Sequence, residues 1–234
     1  MLFDDKMWGG LKPLLIALDG PVAAGKSNVG RLLARKLGYI FFDTGMMYRA
    51  FTWKVLKLGI SSGDENRLCR LASTTKFDFV PSQEGYLNLL IDGEDFSSNL
   101  LCPEIEEQVS VISKIAGVRQ AMVSGQRRLA QQGKVVMAGR DIGTVVLPWA
   151  GLKIFLVASA EERANRRYKE LRERGERVDY SAVLADLKKR DEIDTHRAIS
   201  PLKPAADAII IDTEKLSLEQ VVDKIYALVV EFNS

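Results

Sequence analysis

The eight-residue segment GPVAAGKS at positions 20–27 restricts the fold of this chain more than any other feature. It matches the pattern GxxxxGKS and stands between an apolar run typical of a strand and a run with helical spacing. Its glycines allow positive φ, so several N–H groups and a helix N-terminus can point toward one anion. We interpret it as a phosphate-binding loop in which Lys26 reaches the β- and γ-phosphates and the Ser27 hydroxyl binds Mg2+.

The apolar pattern alternates between strands and helices, which predicts an α/β fold with a parallel sheet and helices on both faces. Predicted strands occupy residues 14–19, 39–43, 134–138, 153–157 and 208–212. Gly38 is predicted to end the helix after the loop, and Ser217 with Gln220 predicts a capping box for the last helix. Further helices are predicted at residues 47–58, 104–114 and 118–131.

A different pattern interrupts this alternation between the second helix and residue 104. Runs at 77–80, 86–91 and 94–96, with Asp92 and Gly93 as a hairpin turn, predict a small antiparallel unit inserted into the α/β core. The 234 residues fit one domain with insertions, or at most two small domains.

Composition predicts a soluble cytoplasmic protein. Hydrophobic residues make up 47% and charged residues 27% of the chain, and no apolar run approaches the roughly 18 residues of a membrane span. Residues 1–13 have no apolar core of a secretory signal, and we interpret them as an N-terminal extension. Cys69 and Cys102 are too few and unpatterned for a disulfide framework or a zinc site, which favours a reducing compartment.

Charge is distributed unevenly along the chain. Residues 119–197 contain 17 lysines and arginines against 11 aspartates and glutamates, a net charge of +6, while the remainder carries −4. Nucleic acid is one candidate polyanion for the basic half, but that half has few aromatic residues and no long basic stripe. The pattern better suits a small phosphorylated substrate.

Several polar residues follow the predicted strands and are expected at the crevice edge of the sheet. Residues 43–49 (DTGMMYR) follow the second strand, and Arg140 with Asp141 follows the strand at 134–138. A helix after residue 157 carries arginines at 163, 166 and 167, and three more surround Gly175. Arg190, Asp194 and Arg197 have the i, i+4, i+7 spacing of one helical face.

Five blocks in order and spacing, GPVAAGKS, DTGMMYRA, GRDIGTVV, EERANRRYKEL and KKRDEIDTHRAISPL, resemble the bacterial-type cytidylate kinase family. The resemblance spans nearly the whole chain. It implies a P-loop kinase domain at residues 14–234 with a fold similar to adenylate kinase, an insert for the nucleoside monophosphate at about 64–111 and an arginine-rich lid at about 160–178. The implied reaction converts ATP and CMP or dCMP to ADP and CDP or dCDP.

The resemblance also assigns roles to individual residues. It places ATP on Gly20, Pro21, Val22, Ala23, Ala24, Gly25, Lys26, Ser27 and Asn28, with Mg2+ on Ser27. It places CMP on Thr44, Tyr48, Arg49, Ser110, Arg119, Arg140, Asp141, Asp194 and Arg197. Within that set, the arginines at 49, 119 and 140 would clamp the acceptor phosphate, and Ser110, Asp141, Asp194 and Arg197 would contact the nucleoside. The implied catalytic residues are Lys26, Arg140 and the closing arginines Arg163, Arg167 and Arg190.

The chemistry explains these residue types. The nucleophile is a phosphate oxygen that is already ionised at neutral pH, so no general base is required. Two polyanions must instead be placed in line with their repulsion compensated, and arginine grips phosphate bidentately without losing its proton. The expected partners are ATP and CMP or dCMP, with no nucleic acid and no membrane, and we expect a monomer.

The residues by themselves also allow other interpretations. Asp194 with Arg197 could be a solvated ion pair, residues 163–167 an ordinary charged helix face, and Thr44 only a helix cap. His196 is expected at the surface. Three residues depart from the family pattern: Ala138, where many relatives have an acidic residue, Asn28 in place of threonine, and Met46 in place of a small residue.

Alternative functions also remain. A kinase of the same architecture could act on UMP, AMP or shikimate. A nucleotide-binding regulator would be expected to carry NKxD and DxxG, neither of which occurs here. A nucleic-acid-binding protein using the basic half would show strongly salt-dependent binding to oligonucleotides.

Overall fold

A computed structural model describes residues 14–81, 87–96 and 103–233. The predicted extension at residues 1–13, Cys102 and the first residue of the strand predicted at 86–91 lie outside these ranges. In this part of the chain no helix is long and apolar enough to cross a membrane.

The described strands are β1 (Leu15–Asp19), β2 (Ile40–Asp43), β3 (Phe77–Pro81), β4 (Leu87–Ile91), β5 (Glu94–Asp95), β6 (Val135–Gly139), β7 (Leu152–Val157) and β8 (Ile209–Asp212). Five parallel strands form the main sheet, in the order β2-β6-β1-β7-β8, and three antiparallel strands form a smaller sheet, in the order β3-β4-β5. The predicted fold class is therefore confirmed.

The helices surround both sheets. They are α1 (Lys26–Leu37), α2 (Gly45–Lys57), α3 (Glu65–Thr74), α4 (Pro103–Ile112), α5 (Ala116–Ala130), α6 (Ala160–Glu173), α7 (Tyr180–His196) and α8 (Leu218–Asn233), with a π-helical turn at Ile142–Val146. The turn and α3 were not predicted. Asp64 at the N-cap of α3, with Leu68 and Ala72 buried four residues apart, is the signal that would have indicated this helix.

Alternation along the central strands divides the hydrophobic core in two. Ile16 and Leu18 of β1 pack with α1 and α8 on one face of the sheet, while Ala17 packs with α2 and α5 on the other. Both faces are covered, so these strands are continuous apolar runs. Burying a side chain such as Leu33 on one face or Phe51 on the other stabilises the fold by ~1.5–3 kcal/mol.

Local signals fixed several element ends as predicted. Gly38 has φ 63° and ψ 38° in the left-handed region and ends α1. The backbone N–H of Ser217 donates to Gln220 Oε1 at 2.8 Å, and the Gln220 N–H donates to Ser217 Oγ at 3.2 Å, so the capping box is confirmed. Asp92 and Gly93, with φ 50° and 82°, form the hairpin turn between β4 and β5.

The face predicted for Arg190, Asp194 and Arg197 lies at the end of α7. Arg190 and Asp194 belong to α7, which ends at His196, and Arg197 is its C-cap residue. The Arg197 N–H donates to the Ile193 carbonyl and its φ of −63° is still helical, so the chain leaves the helix only through its ψ of 139°. Arg197 therefore keeps its place beside Asp194, and the two side chains lie 3.7 Å apart.

Candidate active site

The predicted site residues gather at the carboxyl edge of the main sheet. The loop at residues 20–25 follows β1, Asp43 ends β2, and Arg140 follows β6, which is the neighbour of both strands. In open α/β sheets this edge is where ligands bind. Parallel pairing therefore brings together segments that are more than 90 residues apart in the chain.

The loop after β1 has the backbone that its glycines predict. Gly20 has φ 148° and Gly25 has φ 90°, and Ala23 also has positive φ, at 59°. A Cβ on Gly20 would lie 2.4 Å from the carbonyl oxygen of Leu156 in β7, so the close approach of the two backbones requires glycine there. Asn28 lies in the first turn of α1 and is exposed.

Lys26 folds back over this loop. Its Nζ donates to the carbonyl of Pro21 at 2.5 Å, and only 7% of the residue is exposed. Burial, together with the nearby charge of Arg140, lowers the pKa of Lys26 well below its usual value. A lysine held in this way gains more from an added phosphate than a solvated one does, because its charge is poorly compensated.

Ser27 and Asp43 form an oxygen pair beside the loop. Ser27 Oγ donates to Asp43 Oδ2 at 2.7 Å, and Asp43 Oδ1 accepts from the Gly45 N–H at 2.9 Å. The described residues contain no group of three acidic, histidine or cysteine side chains that could hold a metal by itself. Two hard oxygen donors fit Mg2+, which is usually held by one or two protein ligands together with phosphates and water.

The departures from the family pattern lie close to this pair. Ala138 stands next to Asp43 in the β2–β6 register, and its methyl group lies in the apolar core. Thr44 occupies the N-cap position of α2, but its hydroxyl donates to the Ala138 carbonyl at 2.9 Å and does not cap the helix. Met46 is partly buried against the core. Asp43, and not residue 138, therefore provides the carboxylate that contacts Ser27.

Asp19, at the end of β1, was not among the predicted site residues. Its carboxylate accepts from the backbone N–H groups of Ile142 at 2.8 Å and Gly143 at 2.7 Å. Burial raises its pKa to about 6, although those two hydrogen bonds act in the opposite direction. Asp19 thus ties the strand before the phosphate loop to the turn that follows Arg140 and Asp141.

A buried group of charged side chains lies beside α2 and α5. Arg119 donates to Asp141 and, through Nη1, to the Ser113 carbonyl at 3.0 Å, and its guanidinium lies 5.5 Å from the centre of the Tyr48 ring. Burial raises the pKa of Tyr48 to about 12. The Tyr48 hydroxyl, Arg119 Nε and Arg197 Nη2 are buried without a hydrogen-bond partner among the described residues. All three can donate, so the group suits a ligand rich in acceptors.

These charges continue into a chain of ion pairs. Arg197 lies 3.7 Å from both Asp141 and Asp194, and Asp194 accepts from Arg140 Nε at 2.8 Å. The side chains of Asp194 and Arg197 are only 15% and 5% exposed, which excludes a solvated surface pair. Four predicted acceptor-site residues are therefore connected with Arg119 in one network, which is buried except at Arg140, whose side chain is partly exposed.

Arg49 lies in a second group, which contains a residue that was not predicted. Glu106 of α4 accepts from Arg49 Nε through Oε1 and from Arg190 Nη1 through Oε2, both at 2.8 Å. Burial alone would raise the pKa of Glu106, but the two arginines hold it at about 2. Ser110, one turn further along α4, is half-buried.

The arginines of α6 differ from one another. Arg163 is buried and donates to the Val22 carbonyl in the phosphate loop at 3.2 Å and to Asp191 at 2.7 Å. Arg167 pairs with Glu170 of the same helix at 2.9 Å. Arg167 therefore belongs to an ordinary charged helix face, whereas Arg163 does not. His196 is exposed, as predicted.

Known proteins resemble this chain over most of its length. The profile of the cytidylate kinase family matches residues 16–231. A cytidylate kinase from Bacillus licheniformis is 46% identical over 218 residues, which cover 93% of this chain and 96% of the relative. One from Caldanaerobacter subterraneus is 49% identical over 211 residues, 90% of this chain and 92% of the relative.

Solved structures of low identity support the fold. A shikimate kinase from Bacteroides thetaiotaomicron has a TM-score of 0.50 at 14% identity and covers 94% of this chain and 99% of its own. A gluconokinase from Sinorhizobium meliloti has the same TM-score at 15% identity and covers 94% of each chain. The family match and the curated relatives show that this chain belongs to the cytidylate kinase family.

Proposed function

We propose that this protein transfers the γ-phosphoryl group of ATP to CMP or dCMP, giving ADP and CDP or dCDP. The observation that carries the proposal is the largely buried network of Arg119, Asp141, Arg197, Asp194 and Arg140, at the same sheet edge as the phosphate-binding loop. The names of the relatives, which match over nearly the whole chain, support CMP as the acceptor.

ATP would bind at the loop of residues 20–28. Lys26 Nζ would exchange the Pro21 carbonyl for phosphate oxygens, while the N–H groups of the loop and of the first turn of α1 hold the β-phosphate. Ser27 Oγ and the Asp43 carboxylate would hold Mg2+, which when bound supplies positive charge to the β- and γ-phosphates. Asp43 would take over what an acidic residue at position 138 provides in many relatives.

CMP would bind between the two arginine groups. Arg49, Arg119 and Arg140 would grip its phosphate, since a guanidinium can offer several N–H donors to one anion, and Arg119 Nε has no hydrogen-bond partner among the described residues. The nucleoside would meet Ser110, Tyr48 and Thr44, together with Asp141, Asp194 and Arg197. Cytosine has hydrogen-bond acceptors and an amino group that donates. The residues named here include donors for those acceptors and carboxylates that can accept from the amino group.

Transfer would then depend on position and charge. The acceptor phosphate is ionised at neutral pH, so none of these residues need remove a proton. Arg140 and Lys26 would compensate the charge of the transferring group, and each such contact is typically worth ~2–4 kcal/mol in a desolvated site. A lid at about residues 160–178 would exclude water, with Arg163, Arg167 and Arg190 closing over the phosphates. The contact of Arg163 with Val22 supports this part of the proposal.

The proposal also covers the domain organisation, the oligomeric state and the cellular location. We assign residues 14–234 to one kinase domain with a nucleotide-binding insert at 64–111, preceded by an extension at 1–13. We propose a cytoplasmic monomer that acts on free nucleotides and not on nucleic acid or membranes. Gel filtration would test whether the protein is a monomer, and titration with oligonucleotides at several salt concentrations would test whether it binds nucleic acid.

A coupled assay of ADP release tests the reaction. Purified protein with ATP and Mg2+ is offered CMP, dCMP, UMP, AMP and shikimate in turn, and kcat/KM is measured for each. We expect CMP or dCMP to give the highest value. A preference for another acceptor would contradict the substrate, and nucleotide binding without ADP release for any acceptor would favour a non-catalytic regulator.

A further inference from the structure

Glu106 joins two arginines that lie far apart in the chain. Arg49 belongs to α2 and Arg190 to α7, and each donates to a different oxygen of the same carboxylate at 2.8 Å. Only 18% of the Glu106 side chain is exposed. Three helices from separate segments therefore meet at one largely buried carboxylate. An exposed ion pair would do little to hold such side chains in place, because solvent screens its charges.

The atoms that Glu106 uses leave the phosphate-binding end of Arg49 available. The hydrogen bond to Glu106 uses Arg49 Nε, while Nη1 and Nη2 form the opposite end of the planar guanidinium. A Cβ on Gly45 would lie 2.8 Å from Arg49 Nη1 and 3.0 Å from Asp43 Oδ1, so this end points toward the start of α2. Asp43 in turn contacts Ser27 of the phosphate loop.

Arg190 is fixed in a similar way. Its Nε pairs with Asp186 of the same helix at 2.9 Å and its Nη1 with Glu106, so two neighbouring carboxylates hold the side chain. Arginine has high rotamer entropy, and a side chain already held by carboxylates loses less freedom when it meets an anion.

We propose that Glu106 is a positioning residue for phosphoryl transfer, which aligns the guanidinium groups of Arg49 and Arg190 for the acceptor phosphate. The inference rests on the proposed function, because it assumes that these arginines meet a phosphorylated acceptor. Glu106 itself does not contact the reacting atoms.

This role has a kinetic signature. Removing the negative charge of Glu106 makes the site more positive, so a phosphate dianion should be attracted at least as strongly in the ground state. Losing the alignment of two arginines should, however, slow the step that depends on exact placement. A residue that only stabilised the fold would lower the amount of active enzyme but would leave both kcat per active site and KM unchanged.

The test compares Glu106→Gln with Glu107→Gln, which removes the same charge from the adjacent, exposed position of α4. We expect Glu106→Gln to lower kcat per active site by about 10- to 100-fold, with KM for the acceptor unchanged or lower. Glu107→Gln should stay within about 2-fold of the wild-type protein for both constants. Glu106→Asp, whose shorter side chain can reach one arginine but not both, should give an intermediate kcat.

Two results would overturn the inference: an unchanged kcat in Glu106→Gln, whatever the KM for the acceptor, or equal losses in Glu106→Gln and Glu107→Gln. Thermal unfolding of each variant and titration of active sites separate loss of folded protein from slower turnover. All variants are compared on the acceptor that the wild-type protein turns over best. Absence of CMP turnover in the wild-type protein would therefore refute the proposed function while the Glu106 comparison still gives its answer.

Discussion

Replacing Asp19 by asparagine should change how the stability of the protein depends on pH. The Asp19 carboxylate is 4% exposed and is held by two backbone N–H groups, from Ile142 and Gly143. Its pKa in the folded protein is about 6, against 3.8 for an ordinary aspartate. Asparagine has nearly the same shape and stays neutral, so the substitution removes the ionisation of this one group.

The sign and size of the effect follow from the two pKa values. Because the folded protein binds this proton more tightly than the unfolded chain, Asp19 contributes stability below pH 3.8 that is lost as the pH rises through about 6. A difference of roughly 2 pKa units corresponds to about 3 kcal/mol in total. About 2 kcal/mol of this lies between pH 4.5 and pH 7.

Asparagine also changes the hydrogen bonds of the site. Its side chain has one acceptor oxygen, so one of the two N–H groups of Ile142 and Gly143 loses its partner, which costs ~1–3 kcal/mol. This cost does not depend on pH. The free energy of unfolding of the wild-type protein minus that of Asp19→Asn should therefore be a constant plus a term that falls by about 2 kcal/mol from pH 4.5 to pH 7.

Urea unfolding of both proteins at half-unit pH steps, without nucleotide, measures this difference. Urea leaves ionic strength constant, so screening of other charges is the same in every sample. Ionisations that the two proteins share, such as that of Glu106, cancel in the subtraction. A difference that is flat from pH 4.5 to pH 7, or one that rises with pH, would refute the reasoning that burial dominates the ionisation of Asp19.

Three further variants test the proposed mechanism. Lys26→Met should reduce kcat by at least about 100-fold while the circular dichroism spectrum stays that of a folded protein, and near-normal turnover would disprove the role of Lys26. Asp194→Ala removes the partner of Arg140 and should weaken CMP binding, measured calorimetrically, at least about tenfold more than ATP binding; equal losses would mean that the acceptor site is misplaced. Replacing Arg163 and Arg167 together by alanine should lower kcat more than the affinity for either nucleotide, and the opposite pattern in steady-state kinetics would make them docking residues.

Local sequence was sufficient for much of the fold and for the backbone of the loop after β1. The positive φ of Gly25, the left-handed end of α1 at Gly38 and the Ser217 capping box depend on residues within a few positions of one another. The parallel sheet followed from the length and spacing of apolar runs. Such features are visible in one dimension because their energy is determined by neighbouring residues.

The same reasoning could place Arg140 at the edge of the sheet and Asp194 on the face of a helix but could not pair them. It missed Asp19, although this residue directly precedes the loop at residues 20–27, because an aspartate at the end of a strand has no local feature that reveals its N–H partners more than 120 positions away.

The sequence by itself therefore determined that this chain has a glycine-bounded loop between a strand of a parallel sheet and a helix, with arginines near the crevice. Tertiary structure decided which acidic group each arginine meets. Glu106 is 57 residues from Arg49 and 84 from Arg190, so only the packing of α2, α4 and α7 brings them together. The physical reason is that the energy of a buried ion pair depends on a few ångströms of separation and on burial, neither of which is encoded by spacing along the chain.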